Sequence, residues 1–320
     1  MSGGAKLTKR TIPKQVRKAA KALYYLAGYA LSAFAEFSAA KLKTAPLVSV
    51  IIATYNRPRN LEIAIESVLR QSYQNFEIVV VGDGCTDDTK HVVEGIKDDR
   101  VNWLSLKENS GSQSLPNNLG LARARGEYIA YLGHDDVWLP NHLGALMKHM
   151  EKRFLDLATT RCFSIGPPGS NALTLSGPRL IKTERITGPP SALCHRADIV
   201  KVSGNWVDYK KLASNYPPDN EFIDRLDAAS ARKRSLRRVG VIKLNAAWRK
   251  NFYQSEGASE QAHWLRRSRR PHRLVFFLLA KASLWILLRP QIKLPLDDIS
   301  LGPGEHIVDA WRRVKGLPQR

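Results

Sequence analysis

Between residues 47 and 150 the chain alternates short, unbroken apolar runs with longer stretches in which apolar positions recur every three to four residues. Unbroken β-branched runs suit strands buried on both faces, and the longer period suits helices that cover them. The block therefore predicts a parallel sheet with crossover helices, an α/β fold. Strands are expected over 48–53, 76–81, about 101–106 and 128–132, with helices over about 60–70, 90–96 and 115–125. A further helical run covers 220–231.

Two apolar stretches lie outside this alternation. Residues 14–43 read as a helix, with Pro13 at its start, Lys14, Arg17, Lys18 and Lys21 in its first turns, and an Ala-rich run over 22–40. A membrane span needs ~20 strongly apolar residues, and alanine dilutes this one, so a helix lying in the membrane interface is expected over a span or a helix packed on the domain. Residues 274–288, LVFFLLAKASLWILL, carry Lys281 in the middle and an arginine cluster (Arg266, Arg267, Arg269, Arg270, Arg273) in front. That run is short for a span; with Trp285 it suits the headgroup layer, and the alternative is a core helix with solvated ends.

The charge sharpens this division. The 320 residues carry a formal net charge of +21, of which +8 falls on residues 1–45, −2 on 46–155 and +15 on 156–320. A nucleic-acid enzyme spreads positive charge along its cleft, whereas a neutral centre between basic flanks suits an anionic membrane surface. The run 232–238, RKRSLRR, lacks the interleaved aromatics of a single-strand platform and reads as a solvated or membrane-facing surface, so no nucleic-acid partner is expected. Three cysteines without a C-x-x-C pair support neither a disulfide framework nor a thiolate zinc site, and point to a reducing compartment.

The chemistry sits at the predicted strand ends: Tyr55 and Asn56 after the first, Asp83 and Asp87 after the second, and His134, Asp135 and Asp136 after the fourth. Ligands of open parallel sheets bind beyond the carboxyl ends of the strands, so these groups converge on one crevice. No G-x-G-x-x-G and no G-x-x-x-x-G-K-[ST] is present, which argues against a dinucleotide fold or a P-loop. Carboxylates facing a phosphate-bearing ligand need a bridging cation, Mg²⁺ or Mn²⁺.

The ordered segments VSVIIATYNR (48–57), FEIVVVGDGCTDDT (76–89), NSG (109–111), NLGLARARGEYIAYL (118–132) and HDDVWLP (134–140) resemble family 2 glycosyltransferases of the GT-A fold. GPPSAL (188–193) and PPDNEFIDRL (217–226) resemble the acceptor half of that family. The resemblance implies inverting transfer of a sugar from a nucleotide-sugar. By similarity, Tyr55 would stack on the base and Asp83 would accept from a pyrimidine N–H, favouring UDP or dTDP; Ala53, Asn56, Asn118 and His134 would line the nucleotide-sugar site. Asp135 would stand at the metal position of the D-x-D signature, and Asp219, six residues before Arg225, would be the general base. The acceptor implied is a cell-envelope saccharide or a lipid-linked one, with the protein peripheral on the cytoplasmic face of the membrane.

Three departures from the family pattern stand out: Gly82 and Gly133 occupy positions where an acidic residue is common, and His134 takes the middle of the D-x-D. They open the alternative of a degenerate member that binds nucleotide or polysaccharide without transfer. Plainer readings accompany the sharper ones. Asp87 and Asp88 suit helix caps, Asp136 a structural loop residue, Asp219 an N-cap, His195 an interior histidine, and Cys85 a small loop residue. The expected organisation is a basic N-terminal helix (1–45), a GT-A domain (46–230, divided at 150 into nucleotide-sugar and acceptor halves) and a basic C-terminal region (231–320).

Overall fold

The computed structural model describes residues 45–167, 173–175, 185–244, 257–288, 301–302 and 304–317. The helix expected over 14–43 lies outside the described residues, as does the side chain of Trp285.

The elements run β1 (Val48–Thr54), α1 (Pro58–Leu69), β2 (Phe76–Gly82), α2 (Thr89–Glu94), β3 (Val101–Ser105), α3 (Ser114–Arg123), β4 (Tyr128–Tyr131), β5 (Asp136–Trp138) and α4 (His142–Arg153). The chain continues through β6 (Leu157–Ile165), β7 (Leu173–Leu175), β8 (Leu193–Arg196), α5 (Val200–Ser203), α6 (Pro218–Ala229), β9 (Lys233–Leu244), α7 (Ala258–Ser268), α8 (Pro271–Leu288) and α9 (Ile307–Lys315). Each strand expected from an unbroken apolar run forms within one residue of its expected bounds, because every side chain of β2 and β4 and nearly every one of β1 is buried.

The sheet order is β3-β2-β1-β4-β8-β6-β9-β5, with β7 on β6. β1 pairs in parallel with β2 and with β4, so the chain winds outward from β1 in one direction and returns to its other side at β4. That reversal opens a crevice at the carboxyl ends of β1 and β4, where α/β folds bind ligands. Beyond β4 the pairing turns antiparallel through β8, and the parallel β6–β9 ladder shifts register around Arg161, which bends the sheet.

The basic run 232–238 is not simply a solvated surface. It opens β9, where Leu236 and Val239 point into the core while Arg234 and Arg237 point out. The two buried residues are three apart because β9 shifts register against β6 between Ser235 and Val239, which breaks the strand alternation there. The sheet thus extends past residue 230, and the apolar run 274–288 is helical: Leu274, Val275, Leu278 and Leu279 of α8 join a core cluster with Phe163 and Ile242, while Phe276 and Phe277 remain exposed. Among the described residues no helix is long and apolar enough to cross a membrane.

Candidate active site

A cavity of about 380 Å³ opens at the β1/β4 reversal, and Ala53, Tyr55, Asp83, His134, Asp135 and Asp219 all line it. The first two follow from β1, whose last residues emerge from the core. Asp83 ends β2, and its carboxylate is aimed by the 109–111 turn: Asn109 Nδ2 donates to Oδ2 at 3.0 Å and the Ser110 N–H donates to Oδ1 at 2.7 Å. At Gly82, beside it, a Cβ would lie 2.5 Å from the Trp103 indole, so an acidic residue there would require the indole to move.

The His134-Asp135-Asp136 loop divides its work. His134 is buried, and its Nδ1 lies 3.3 Å from the Ala53 carbonyl, an acceptor only, so Nδ1 carries the proton. Burial lowers its pKa to about 4, which keeps the imidazole neutral at physiological pH. Asp135 faces the cavity half-buried; burial alone would raise its pKa, but the nearby charges of Lys243, Lys315 and Arg57 hold it below the ordinary carboxylate value. Asp136 is fully buried and turned away, accepting from the Ser191 hydroxyl and from Lys243 Nζ at 3.2 Å. Burial pushes its pKa up to about 6 against the pull of that ammonium. The structural role fits Asp136, which does not line the cavity.

Asp219 lines the same cavity from the first turn of α6, where its carboxylate accepts from backbone N–H groups of that turn. Burial raises its pKa, moderated by the Lys243 charge and by the backbone N–H groups of Asp219 and Asn220. A raised carboxylate in a cleft is the condition for a base that must take and later release a proton.

Other expected site residues lie away from the cavity. Asn118 faces the far side of α3, exchanging hydrogen bonds with the Trp206 backbone at 2.9 Å, and its neighbour Asn117 lines the cavity instead, as the 100° step of a helix requires. Asn56 joins the loops after β1 and β2 through Thr86, 2.9 Å from its backbone N–H and 3.1 Å from its hydroxyl, and so sets the loop that carries Tyr55. His195 lies behind Tyr131, its Nε2 3.1 Å from the phenol oxygen and its Nδ1 2.7 Å from the Arg196 carbonyl, and burial lowers its pKa to about 4. Arg225 pairs with Glu221 and donates to the carbonyls of Ser203 and Asn205, fastening α5 to α6. Six residues along a helix turn Arg225 about 120° away from Asp219.

The sequence reading missed three contributors from beyond residue 230. Lys243, at the end of β9, lines the cavity beside Asp136. Gln261 of α7, fully buried, donates to the carbonyls of His134 (3.0 Å) and Asp136 (3.1 Å) and accepts from Asn60 at 2.7 Å, so α7 buttresses the His134-Asp135-Asp136 loop. Trp311, Arg312 and Lys315 of α9 complete the wall. None belongs to a recognisable motif; the one available signal was the two-faced pattern of 307–315.

Replacing Gln261 with Ala leaves three buried polar partners unpaired, at a cost of about 3 kcal/mol. Thermal melting of Gln261→Ala should fall by about 6–10 °C; an unchanged melting temperature would mean that the loop is held by other contacts.

Among the described residues no three His, Cys, Asp or Glu side chains are grouped to cage a metal. The donor set nevertheless fits a shared cation, since Mg²⁺ and Mn²⁺ are commonly held by one or two carboxylates with substrate phosphates, and Asp135 is an ionised carboxylate facing the cavity. A Cβ at Gly133 would sit 3.0 Å from oxygens of both Asp135 and Asp136, so an acidic residue there would crowd two carboxylates already present.

A mixed, curled sheet with carboxylates at the β1/β4 crevice is a glycosyltransferase fold of the GT-A type. Residues 49–235, more than half of the chain, match Glycosyl transferase family 2, and the chain belongs to that family. It is 37% identical over 105 residues (33% of this chain, 41% of the relative) to the UDP-Glc:α-D-GlcNAc-diphosphoundecaprenol β-1,3-glucosyltransferase WfaP of Escherichia coli. S. aureus TarS in complex with UDP superposes with a TM-score of 0.53 at 21% identity, covering 62% of this chain and 60% of that one. The mannosyltransferase PcManGT of Pyrobaculum calidifontis, solved with GDP-Man and Mn²⁺, gives 0.50 at 16% identity over 85% and 82%. The chain spans less than half the length of the curated relatives it matches.

Proposed function

We propose that the protein transfers a sugar, with inversion, from a nucleoside-diphosphate sugar to a hydroxyl of a cell-envelope saccharide or of its lipid-linked precursor. One observation carries this reading: Asp219 and Asp135 line one cavity, which supports Asp219 as the base for the acceptor and Asp135 as the carboxylate nearest the donor phosphates. A degenerate binding protein has no need for a half-buried carboxylate with a raised pKa on the acceptor wall.

Asp219 takes the proton from the acceptor hydroxyl as its oxygen forms the new bond to the anomeric carbon. The bond from that carbon to the diphosphate oxygen breaks on the opposite face, and its electron pair leaves with the nucleoside diphosphate. Attack from the rear inverts the centre in one step, so one base suffices and no protein nucleophile is needed. Tyr55 offers its ring to the base and Asp83 accepts from a ring N–H, which favours UDP or dTDP. Asp135 would hold a Mg²⁺ or Mn²⁺ ion, with His134 beside it; bound there, such an ion supplies charge to stabilise the departing diphosphate. The relatives' names support the donor and acceptor classes: TarS binds UDP, and WfaP acts on a sugar-diphosphoundecaprenol.

The test is transfer from UDP-glucose to GlcNAc-diphosphoundecaprenol, with UDP-GlcNAc, dTDP-glucose and GDP-mannose as competing donors. A β-linked product from the α-linked donor, read by NMR of the anomeric proton, is the expected result. An α-linked product would overturn inversion, and no transfer from any donor would overturn the reading.

A lipid-linked acceptor calls for a membrane-facing surface, and α8 supplies a candidate. Phe276 and Phe277 are 65% and 42% exposed, beside the exposed Arg266, Arg269, Arg270 and Arg273. Aromatics framed by arginines suit an anionic interface, on the cytoplasmic face where nucleotide-sugars are made. Sedimentation with phosphatidylglycerol vesicles should exceed that with phosphatidylcholine, and Phe276→Ser with Phe277→Ser should lower it about tenfold. Equal sedimentation of wild type with both lipids would contradict this role.

A further inference from the structure

We infer that Lys315, delivered by α9, is the protein's own cation for the donor diphosphate, and that the Trp311 indole beside it donates to the same group. The inference rests on the nucleotide-sugar reading of the cavity and extends it to a helix outside residues 49–235, the part of the chain that matches the family.

α9 is built to cross the cavity. At its start the His306 Nδ1 accepts the Val308 N–H at 3.1 Å, the Ile307 N–H donates to the Ser214 carbonyl at 2.6 Å, and Asp309 accepts from the Tyr209 hydroxyl at 3.2 Å. These bonds tie it to the acceptor side. One turn later Arg312, buried, donates to the Gly111 carbonyl at 3.1 Å, in the turn that also aims Asp83. The helix thus joins both halves of the site. Gly316, at φ 76°, ends it in the left-handed conformation that glycine adopts without strain, and the chain returns so that Leu317 also lines the cavity.

Among the described residues Lys243, Arg312 and Lys315 are the cations that line the cavity, and the first two are committed. Lys243 pairs with Asp136, and Arg312 holds Gly111. Lys315 forms no ion pair among the described residues; its ammonium lies 6.0 Å from the Trp311 ring and is close enough to Asp135 and Asp219 to feel both charges. Burial lowers its pKa, the cost of holding an ammonium in a cleft without a carboxylate against it. Trp311 Nε1 is buried and has no hydrogen-bond partner among the described residues. An ammonium and an indole N–H, adjacent and both unmatched, call for an anion with several acceptor oxygens. Asp135 faces the same space, so the anion that fits is one able to share a cation with that carboxylate, a diphosphate. With Gly133 and His134 in place of further acidic residues, Lys315 supplies charge that the reduced signature does not.

The test measures binding of UDP, GDP and uridine to the full chain by calorimetry, with Mn²⁺ and with EDTA, for wild type, Lys315→Gln, Lys315→Arg and Trp311→Phe. Loss of a charge-assisted contact should weaken UDP about 10- to 100-fold in Lys315→Gln while uridine, which lacks phosphate, binds as before. Lys315→Arg should keep most of the affinity, Trp311→Phe should lose a smaller factor, and the affinity of wild type remaining in EDTA should vanish in Lys315→Gln. Unchanged UDP affinity in Lys315→Gln would overturn the inference and leave the transferase reading standing. So would equal losses for UDP and uridine, which mark a merely structural helix. Wild type that binds neither UDP nor GDP would overturn the reading of the cavity itself, and this inference with it.

Discussion

Asp219→Asn is expected to lower the rate of transfer about 10³-fold or more while UDP binds with unchanged affinity. The amide is nearly isosteric and keeps an oxygen for the N–H groups of the first turn of α6, so the fold and the donor wall are preserved. It cannot accept the acceptor's proton. A companion pH profile separates loss of a base from loss of shape. Burial raises the pKa of Asp219, and only the ionised form serves, so the rate of wild type should fall as pH drops through that raised value and level off above it. The residual rate of the variant should lose this acid limb. Transfer by Asp219→Asn at the wild-type rate would remove Asp219 from the mechanism.

Asp135→Ala is expected to abolish the effect of Mn²⁺ on nucleotide-diphosphate binding and to reduce transfer at least as severely. Asp135 is the one carboxylate of the His134-Asp135-Asp136 loop that lines the cavity, since Asp136 is engaged by Ser191 and Lys243. The substitution also removes the carboxylate that faces Lys243 and Lys315, so UDP measured in EDTA should bind no more weakly than to wild type, and somewhat tighter, as two cations lose a competing anion. Opposite signs with and without metal distinguish loss of a ligand from loss of structure. A Mn²⁺ dependence retained in Asp135→Ala would transfer the metal role to another group.

The contrast between these residues and those that lie off the cavity shows what a linear sequence encodes. β1, β2 and β4 were legible because strands buried on both faces leave unbroken apolar runs, and their ends bring Tyr55, Asp83 and Asp135 to one crevice whatever the loops do. A helix is less forgiving by one residue: Asn117 and Asn118 are alike in sequence, yet a 100° step puts only the first at the cavity. Arg225 lies off the cavity for the same reason, its six-residue distance from Asp219 turning it to the other side of α6, where it holds Ser203 and Asn205.

The C-terminal contributions were hidden for a different reason. A register shift in β9 breaks the period of two over 232–238, and the apolar length of 274–288 suggested a membrane, although its Leu274, Val275, Leu278 and Leu279 serve the core. Gln261 and Lys315 act across more than a hundred residues of sequence, on Asp136 and with Asp135, and no local pattern announces such pairs. Tertiary folding makes them neighbours of the His134-Asp135-Asp136 loop, and the loop's support therefore comes from chain that carries no motif.

The most direct test of the account is thermal melting of the full chain against UDP, dTDP, GDP, ADP and CMP, each with Mn²⁺, Mg²⁺ or EDTA, because a ligand bound only by the folded state raises the melting temperature. The account predicts stabilisation by UDP or dTDP, larger with a divalent ion and retained in part without one. A folded protein that none of the five stabilises under any condition would contradict the claim that this cavity holds a nucleotide-sugar.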